Sequence, residues 1–389
     1  MGTQEEVVFL LGAGVSVAAG MPSTKEITHE LLTSTKLQLN SDESVKYTED
    51  ASSSVESYQR FLRWMRYDLA SLTRGGRDQD VTYEDIYYVL HAVSEALWGE
   101  SVDPLATLYC KHASAKFSES QQGPSSSVWM DKSWVRKCAR FVRSAVGAYL
   151  EHAQRNRTLN YCSLAVLGEV CAARDTRRVH FFSLCHDFVL ERFLHCRGVP
   201  FFNGLGQASK SIRWLETEGY RKTECKVLVY KLHGSLEWAR WRAEENADTL
   251  GRVGARVAKP RPTDLIFLED GKGYHYRPPE PYSAIVVGTL NKAADYQWAP
   301  FRDLVSFFLE ALERTNRVVV CGHSFGDRFI AGHLADWLRA EPDRRLVVVD
   351  PRSNELKEKL KGRVFEDRCV FVNSGIEEAR LSQLKAHGE

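Results

Sequence analysis

Two short stretches of this 389-residue chain carry residue types spaced for chemistry. The first is Gly12-Ala13-Gly14, with Ser16 just beyond, directly after the apolar run Val7–Leu11. Glycines at the carboxyl end of a buried strand let the backbone approach a phosphate. A helix that follows offers unpaired N–H groups and the positive end of its dipole. Ser16 adds a hydroxyl donor. The same glycines also suit a plain strand–helix turn, and G-x-G alone does not separate the two readings. The second stretch is Lys231-Leu232-His233-Gly234-Ser235, which offers an imidazole that titrates near neutral pH. Cys185 and His186 are adjacent, and neighbours on a strand point to opposite faces, which argues against a Cys–His nucleophilic dyad. Glu84 and Asp85 either line a cleft or cap a helix. Trp238 and Trp241 read as hydrophobic cover.

These residues need a scaffold. Val-Val-Phe-Leu-Leu at 7–11 is a continuous apolar run of the kind found in parallel strands buried on both faces. Thr24 is placed to cap a helix through Glu30. Residues 36–60, rich in Ser, Asp and Glu, read as a mobile loop. From 58 to 150 the apolar residues recur at helical spacing: Phe61, Leu62 and Met65, then Ile86, Val89 and Leu90, then Val135, Cys138 and Phe141. Residues 118–127 read as a loop inside this region. Strand character returns at 179–184, 226–232, 284–288, 317–321 and 345–349, and residues 238–281 read as hairpins or a loop covering one edge. Strand–helix alternation predicts an α/β fold: a Rossmann-like parallel sheet flanked by helices, with a helical insertion after the first β-α unit. Residues 1–35 and 160–389 form the core in this reading, and 36–159 form the insertion.

Bulk properties exclude several classes. Lys and Arg number 52 against 51 Asp and Glu, a formal charge of +1, so no global pull toward nucleic acid or membrane is expected. No apolar stretch approaches the roughly 18 residues of a membrane span. The acidic start Gly2-Thr3-Gln4-Glu5-Glu6 resembles neither a signal peptide nor a myristoylation site, and the chain reads as cytoplasmic. Nine scattered cysteines without a C-x-x-C pair predict reduced thiols and no cysteine zinc site.

The longer strings are more specific. Gly12-Ala13-Gly14-Val15-Ser16-Val17-Ala18-Ala19-Gly20-Met21-Pro22 resembles the sirtuin signature G-A-G-x-S-x-x-x-G-[I/M]-P. Phe182-Ser183-Leu184-Cys185-His186-Asp187 falls where sirtuins carry T-x-N-x-D. Lys231-Leu232-His233-Gly234-Ser235 resembles their catalytic K-L-H-G-S motif, and Gly322-His323-Ser324-Phe325-Gly326-Asp327 resembles G-[TY]-S-x-x-D. The last of these strands ends in Asp350-Pro351. Thr82-Tyr83-Glu84-Asp85-Ile86 is similar to an N-[FY]-E-D-[VI] element of the bacterial NAD-hydrolysing branch, many members of which act in antiphage defence. The resemblance covers residues 7–24 and about 179–351.

The resemblance implies NAD as substrate. Gly12, Ala13, Gly14 and Ser16 would hold its phosphates, Pro22 would belong to the same cofactor site, and Gly322, Ser324 and Asp350 would bind its adenosine half. Asp187 would bind the nicotinamide carboxamide and His233 would be the general base. Two departures argue against protein deacylation. Ser23-Thr24-Lys25 stands where deacylases carry an acidic residue, Phe and Arg, and the zinc ribbon's cysteine pairs are absent. A third concerns activity: Cys185 replaces an Asn that contacts the ribose and the attacking water, and a thiol is a weak donor and acceptor. Two readings stay open. One is an NAD hydrolase acting in antiphage defence by NAD depletion, expected to be a homo-oligomer activated by a partner such as a motor ATPase or a phage component. The other is a catalytically impaired scaffold or sensor that binds NAD or ADP-ribose.

Overall fold

The computed structural model describes residues 5–49, 55–72, 76–77, 80–99, 103–119, 131–209, 212–241, 252–256, 268–269, 275–276, 284–289, 291–360 and 368–385. Two compact units emerge. One comprises Met1–Met21, Arg157–Val286 and Ala293–Glu389, and the other Pro22–Asn156 with Val287–Lys292.

The first unit is built on seven strands: β1 Glu5–Leu11, β2 Thr176–Ser183, β3 Phe201–Phe202, β4 Val227–Lys231, β5 Arg317–Cys321, β6 Arg345–Val349 and β7 Cys369–Val372. They form one sheet in the order β7-β6-β5-β1-β2-β4-β3, and every pairing is parallel. The apolar runs explain the choice. Even-numbered residues such as Val8, Leu10, Phe182, Val320 and Val348 join one core cluster with Leu304, Phe308, Leu334 and Leu338. Odd-numbered neighbours on the opposite face, Phe9, Phe181, Val229, Val319 and Val347, are equally buried. Burial on both faces needs helices on both faces, and each such large side chain contributes about 1.5–3 kcal/mol on leaving water. The fold is therefore the Rossmann-like α/β sheet that strand–helix alternation predicted.

Registers set where the site can be. Leu11 pairs with both Cys321 and Ser183, Ser183 with Lys231, and Cys321 with Val349. Five carboxyl ends are thus flush at one edge. From β1 the chain fills the β2–β4 side and then crosses to β5, so the order switches at β1/β5, where open α/β sheets bind ligands. A separate antiparallel sheet joins Leu205–Ser209, Ile212–Leu215, Arg252–Arg256 and Trp238–Trp241.

The second unit is helical: Thr24–Thr33, Glu56–Leu72, Tyr83–Trp98, Pro104–Glu119 and Lys132–Asn156. Phe61, Leu62, Met65, Ile86, Leu90, Val135, Cys138 and Phe141 are buried, as their helical spacing predicts.

Several sequence expectations need correction. The expected loop at 36–60 contains a hairpin, Leu37–Leu39 with Val45–Tyr47, and helix begins at Glu56. Leu37 and Val45 are buried, and the Val45 N–H donates to the Ser144 hydroxyl at 2.8 Å, which anchors the hairpin despite its polar neighbours. Ser23, not Thr24, caps the first long helix, through a reciprocal pair with Glu26. Residues 118–119 of the expected loop continue a helix, and 120–127 lie outside the described residues. The apolar run 284–288 is not a sheet strand. Among the described residues it makes one antiparallel bridge, Ile285 to Gly234, because it is pinned against the turn that carries His233. Much of 238–281 lies outside the described residues, and the described part supplies antiparallel strands.

Candidate active site

The glycine turn is first a matter of chain packing. The Gly12 N–H donates to the Cys321 carbonyl and the Gly14 N–H to the Gly322 carbonyl, both at 2.9 Å. A Cβ at Gly12 would lie 2.5 Å from the Gly322 oxygen, and one at Gly14 would lie 2.7 Å from the Gly322 Cα. Gly322 itself has φ +60°, and its own Cβ would lie 2.7 Å from the Gly14 Cα. Glycine is therefore required because the turns after β1 and β5 touch backbone to backbone. Two amides expected to face a phosphate are spent on that contact. Ala13 and Gly14 nonetheless lie exposed at the start of helix α1, Ala13–Ala18. Pro22 is buried and belongs to the helical unit.

The loop after β2 brings Cys185, His186 and Asp187 to the same edge. The Cys185 thiol donates to the Gly12 carbonyl at 3.3 Å, and its N–H to the Ser183 hydroxyl at 3.2 Å. Burial first, and the nearby Asp187 carboxylate second, push this thiol up to about 12. It is no nucleophile at neutral pH. His186 donates from Nδ1 to the His233 carbonyl, 3.1 Å.

Asp187 accepts from the Ser16 hydroxyl and from the Val189 N–H, both at 3.0 Å, so one oxygen ties the loop to α1 and starts helix α2, Val189–Cys196. Lys231, at the end of β4, donates to the Asp187 main-chain carbonyl and lies 3.5 Å from Glu191. Burial works against its ammonium, but Glu191 and Asp187 outweigh that and raise its pKa. Burial also holds the Glu191 carboxyl above its usual range, with Lys231 opposing.

His233 follows at a turn whose shape Gly234 permits. Gly234 has φ +80°, and a Cβ there would lie 2.0 Å from the Ala284 carbonyl oxygen. The Val286 N–H donates to the His233 carbonyl at 2.8 Å. The imidazole Nε2 lies 2.6 Å from the Tyr296 hydroxyl and 3.0 Å from Asp327 Oδ2. Asp327 also caps helix α4, Arg328–Ala340, accepting from the N–H groups of Phe329 and Ile330 at 3.1 Å. Helix α3, Phe301–Glu313, precedes β5. In the 322–327 loop, Ser324 is exposed and Phe325 has φ +55° with a buried ring. A bulky residue there costs about 1–2 kcal/mol, which the burial of its ring offsets. Asp350, at the end of β6, is buried and accepts from the Arg352 N–H at 2.8 Å.

The structure thus brings Gly12, Ala13, Gly14, Ser16, Cys185, Asp187, His233, Gly322, Ser324 and Asp350 to the carboxyl edge of one sheet. In the helical unit, Asp85 accepts from the Thr82 N–H and hydroxyl as a helix cap, while Glu84 pairs with buried Lys292 at 3.0 Å. Sequence reasoning missed Tyr296, Lys231 and Glu191, and gave Asp327 no part beside His233. Lys231 and Asp327 stand inside the quoted motifs and could have been found there. Tyr296 carries no local signal. Trp238 joins the main core, and Trp241 a small cluster with Ile212 and Trp214. Among the described residues no three His, Cys, Asp or Glu side chains group as metal ligands, and no helix is long and apolar enough to cross a membrane.

No family profile and no curated protein matches this sequence. Solved structures similar to it include a Sir2 homologue–NAD complex, 12% identical, covering 98% of this chain and 88% of that one at a TM-score of 0.39. A Sir2 homologue mutant with ADP-ribose is 13% identical, with 98% and 91% coverage and a TM-score of 0.39. Another mutant, with 2′-O-acetyl-ADP-ribose, is 12% identical, with the same coverage and a TM-score of 0.37.

Proposed function

We propose that the parallel-sheet unit binds NAD and hydrolyses its nicotinamide–ribose bond, with His233 as general base. The observation that carries this reading is a buried imidazole, anchored to a tyrosine and a carboxylate, at the flush carboxyl edge that also holds the glycine turn. The four motifs that resemble sirtuins all fall at this edge. Cleavage passes through an oxocarbenium-like state, as in glycoside hydrolysis. His233 takes a proton from the attacking water, the water oxygen bonds to the ribose carbon, and the electrons of the breaking bond leave with nicotinamide. The proton then returns to solvent, giving ADP-ribose and nicotinamide. Ser16 and Asp187 would hold the rim of the site, and the exposed Ala13–Gly14 segment would meet the phosphates.

Pure protein incubated with NAD should release nicotinamide, and His233→Ala should lower the rate by about 10²–10⁴. Absence of nicotinamide release from the wild-type chain would overturn the hydrolase reading, whether or not NAD binds.

Cys185 favours a second reading, a binding-only module. Its thiol is un-ionised and committed to the Gly12 carbonyl, so it offers a water or ribose far less than an amide would. ADP-ribose binding without nicotinamide release is the outcome this reading requires. The motif resemblance extends the hydrolase reading to antiphage defence by NAD depletion in the cytoplasm, as a homo-oligomer gated by a partner. Phage challenge of cells expressing the chain or its His233→Ala variant, with NAD measured over time, tests that role.

A further inference from the structure

We propose that Lys231 is a positioning residue for dinucleotide binding: its buried ammonium holds the main chain of Asp187 and, through Asp187, sets the glycine turn after β1. Glu191 is its counter-ion. This rests on the reading that the turn receives the phosphates of NAD.

The contacts run from the sheet to the turn. Lys231 is the last residue of β4 and pairs in register with Ser183, the last residue of β2. Its Nζ donates to the Asp187 main-chain carbonyl. The Asp187 side chain accepts from the Ser16 hydroxyl on α1 and from the Val189 N–H at the start of α2, both at 3.0 Å. The same loop reaches the turn a second time, where the Cys185 thiol donates to the Gly12 carbonyl at 3.3 Å. The sheet thus grips Asp187 by its main chain, and the helix after the glycines grips it by its side chain. A shift of the loop moves Ser16 and Gly12 with it.

An ammonium is a demanding choice for this task. Lys231 is buried, and a charge taken out of water is unfavourable unless it is paired. Glu191 on α2 supplies the pair, with its Oε1 3.5 Å from Nζ. The carbonyl of buried Asp187 needs a donor, and a neutral one would satisfy it. A charged donor makes a bond roughly twice as strong. The long lysine stem also lets a strand residue reach a loop 44 positions away in the sequence. Apolar side chains of similar volume at 231 and 191 would fill the same space without either charge. What the charged pair adds is a fixed place for the Asp187 carbonyl.

The test separates holding the fold from holding the site. Lys231→Met with Glu191→Leu removes both charges and should keep most of the wild-type stability in urea. Its affinity for ADP-ribose, a probe that cannot be turned over, should nevertheless fall about tenfold in calorimetry, the loss expected for one charge-assisted contact. Amide exchange followed by NMR on the full chain needs no ligand. The Val189 N–H should exchange at least about tenfold faster in the double variant, while the Val319 N–H in the middle of β5 keeps its wild-type rate. Unchanged Val189 exchange, or wild-type ADP-ribose affinity in the folded double variant, overturns the proposal. If that variant does not fold, Lys231→Gln with Glu191→Gln replaces it. Its neutral amide is a weaker donor on a stem shorter by one atom, so both losses should reach about threefold, and wild-type values would overturn the proposal. No ADP-ribose binding by the wild type would sink the NAD reading, and Val189 exchange would then decide the hold on Asp187 alone.

Discussion

The Cys185 thiol donates to the Gly12 carbonyl oxygen across 3.3 Å, joining the loop after β2 to the turn after β1. Burial lifts this thiol to about 12, above the ordinary cysteine value near 8.5. A folded pKa raised above the unfolded one contributes stability that is complete below about pH 8.5 and is lost as pH rises toward 12. At pH 8, iodoacetamide should therefore label the exposed Cys162 and Cys196 while Cys185 stays unmodified, as read by peptide mass spectrometry. Rapid labelling of Cys185 in the native protein would contradict its placement.

Cys185→Asn replaces a weak donor with an amide that can both give and accept. In the hydrolase reading nicotinamide release should rise about tenfold or more. ADP-ribose binding with no turnover in either form would instead support the module.

Lys231 and Glu191 form a coupled buried pair beside Asp187. Lys231→Met leaves the Glu191 carboxyl without its ammonium, and should cost about 3–5 kcal/mol, measured by urea denaturation. Lys231→Met with Glu191→Leu should recover most of that loss. Because the folded Lys231 pKa is raised, its contribution is full below about pH 10.4 and disappears as pH climbs through the folded value. The alkaline slope of stability should thus flatten in Lys231→Met. An additive double variant would show that the two side chains are not coupled.

Gly322→Ala adds a Cβ where φ is +60° and the Gly14 Cα would be 2.7 Å away. The left-handed backbone alone costs about 1–2 kcal/mol, and the clash must move the turn after β1 as well. We expect a loss of at least about 2 kcal/mol, seen as a lower unfolding midpoint, together with weaker NAD binding. A variant as stable as the wild type would mean the two turns are not in contact.

Ser16→Ala removes one of the two donors to Asp187 Oδ1. A buried hydrogen bond of this kind is worth about 1 kcal/mol net. Calorimetry should show a small drop in stability, and titration with ADP-ribose a loss of affinity as the Asp187 loop loosens. Unchanged affinity would separate Ser16 from the binding site.

Much of the sheet was legible because its signals are local. The runs at 317–321 and 345–349 match strands β5 and β6 residue for residue, since a short β-branched apolar run bounded by polar residues suits a strand covered on both faces. The short strands β3 and β7 were missed: Phe201–Phe202 is too brief to show a pattern, and Cys369–Val372 is only half-buried at the edge of the sheet. The run at 284–288 read as a strand because apolar composition reports burial and not the partner that provides it.

By itself the sequence determined the parallel sheet, the glycines of its first turn and the motif that carries His233, because these depend on residues close together in the chain. Tertiary structure decided what surrounds them. Tyr296 and Asp327 reach His233 from 63 and 94 residues away, and Ser16 reaches Asp187 across 171. Such contacts form only when strand registers bring distant loops to one edge, and they impose no period on the sequence that could announce them.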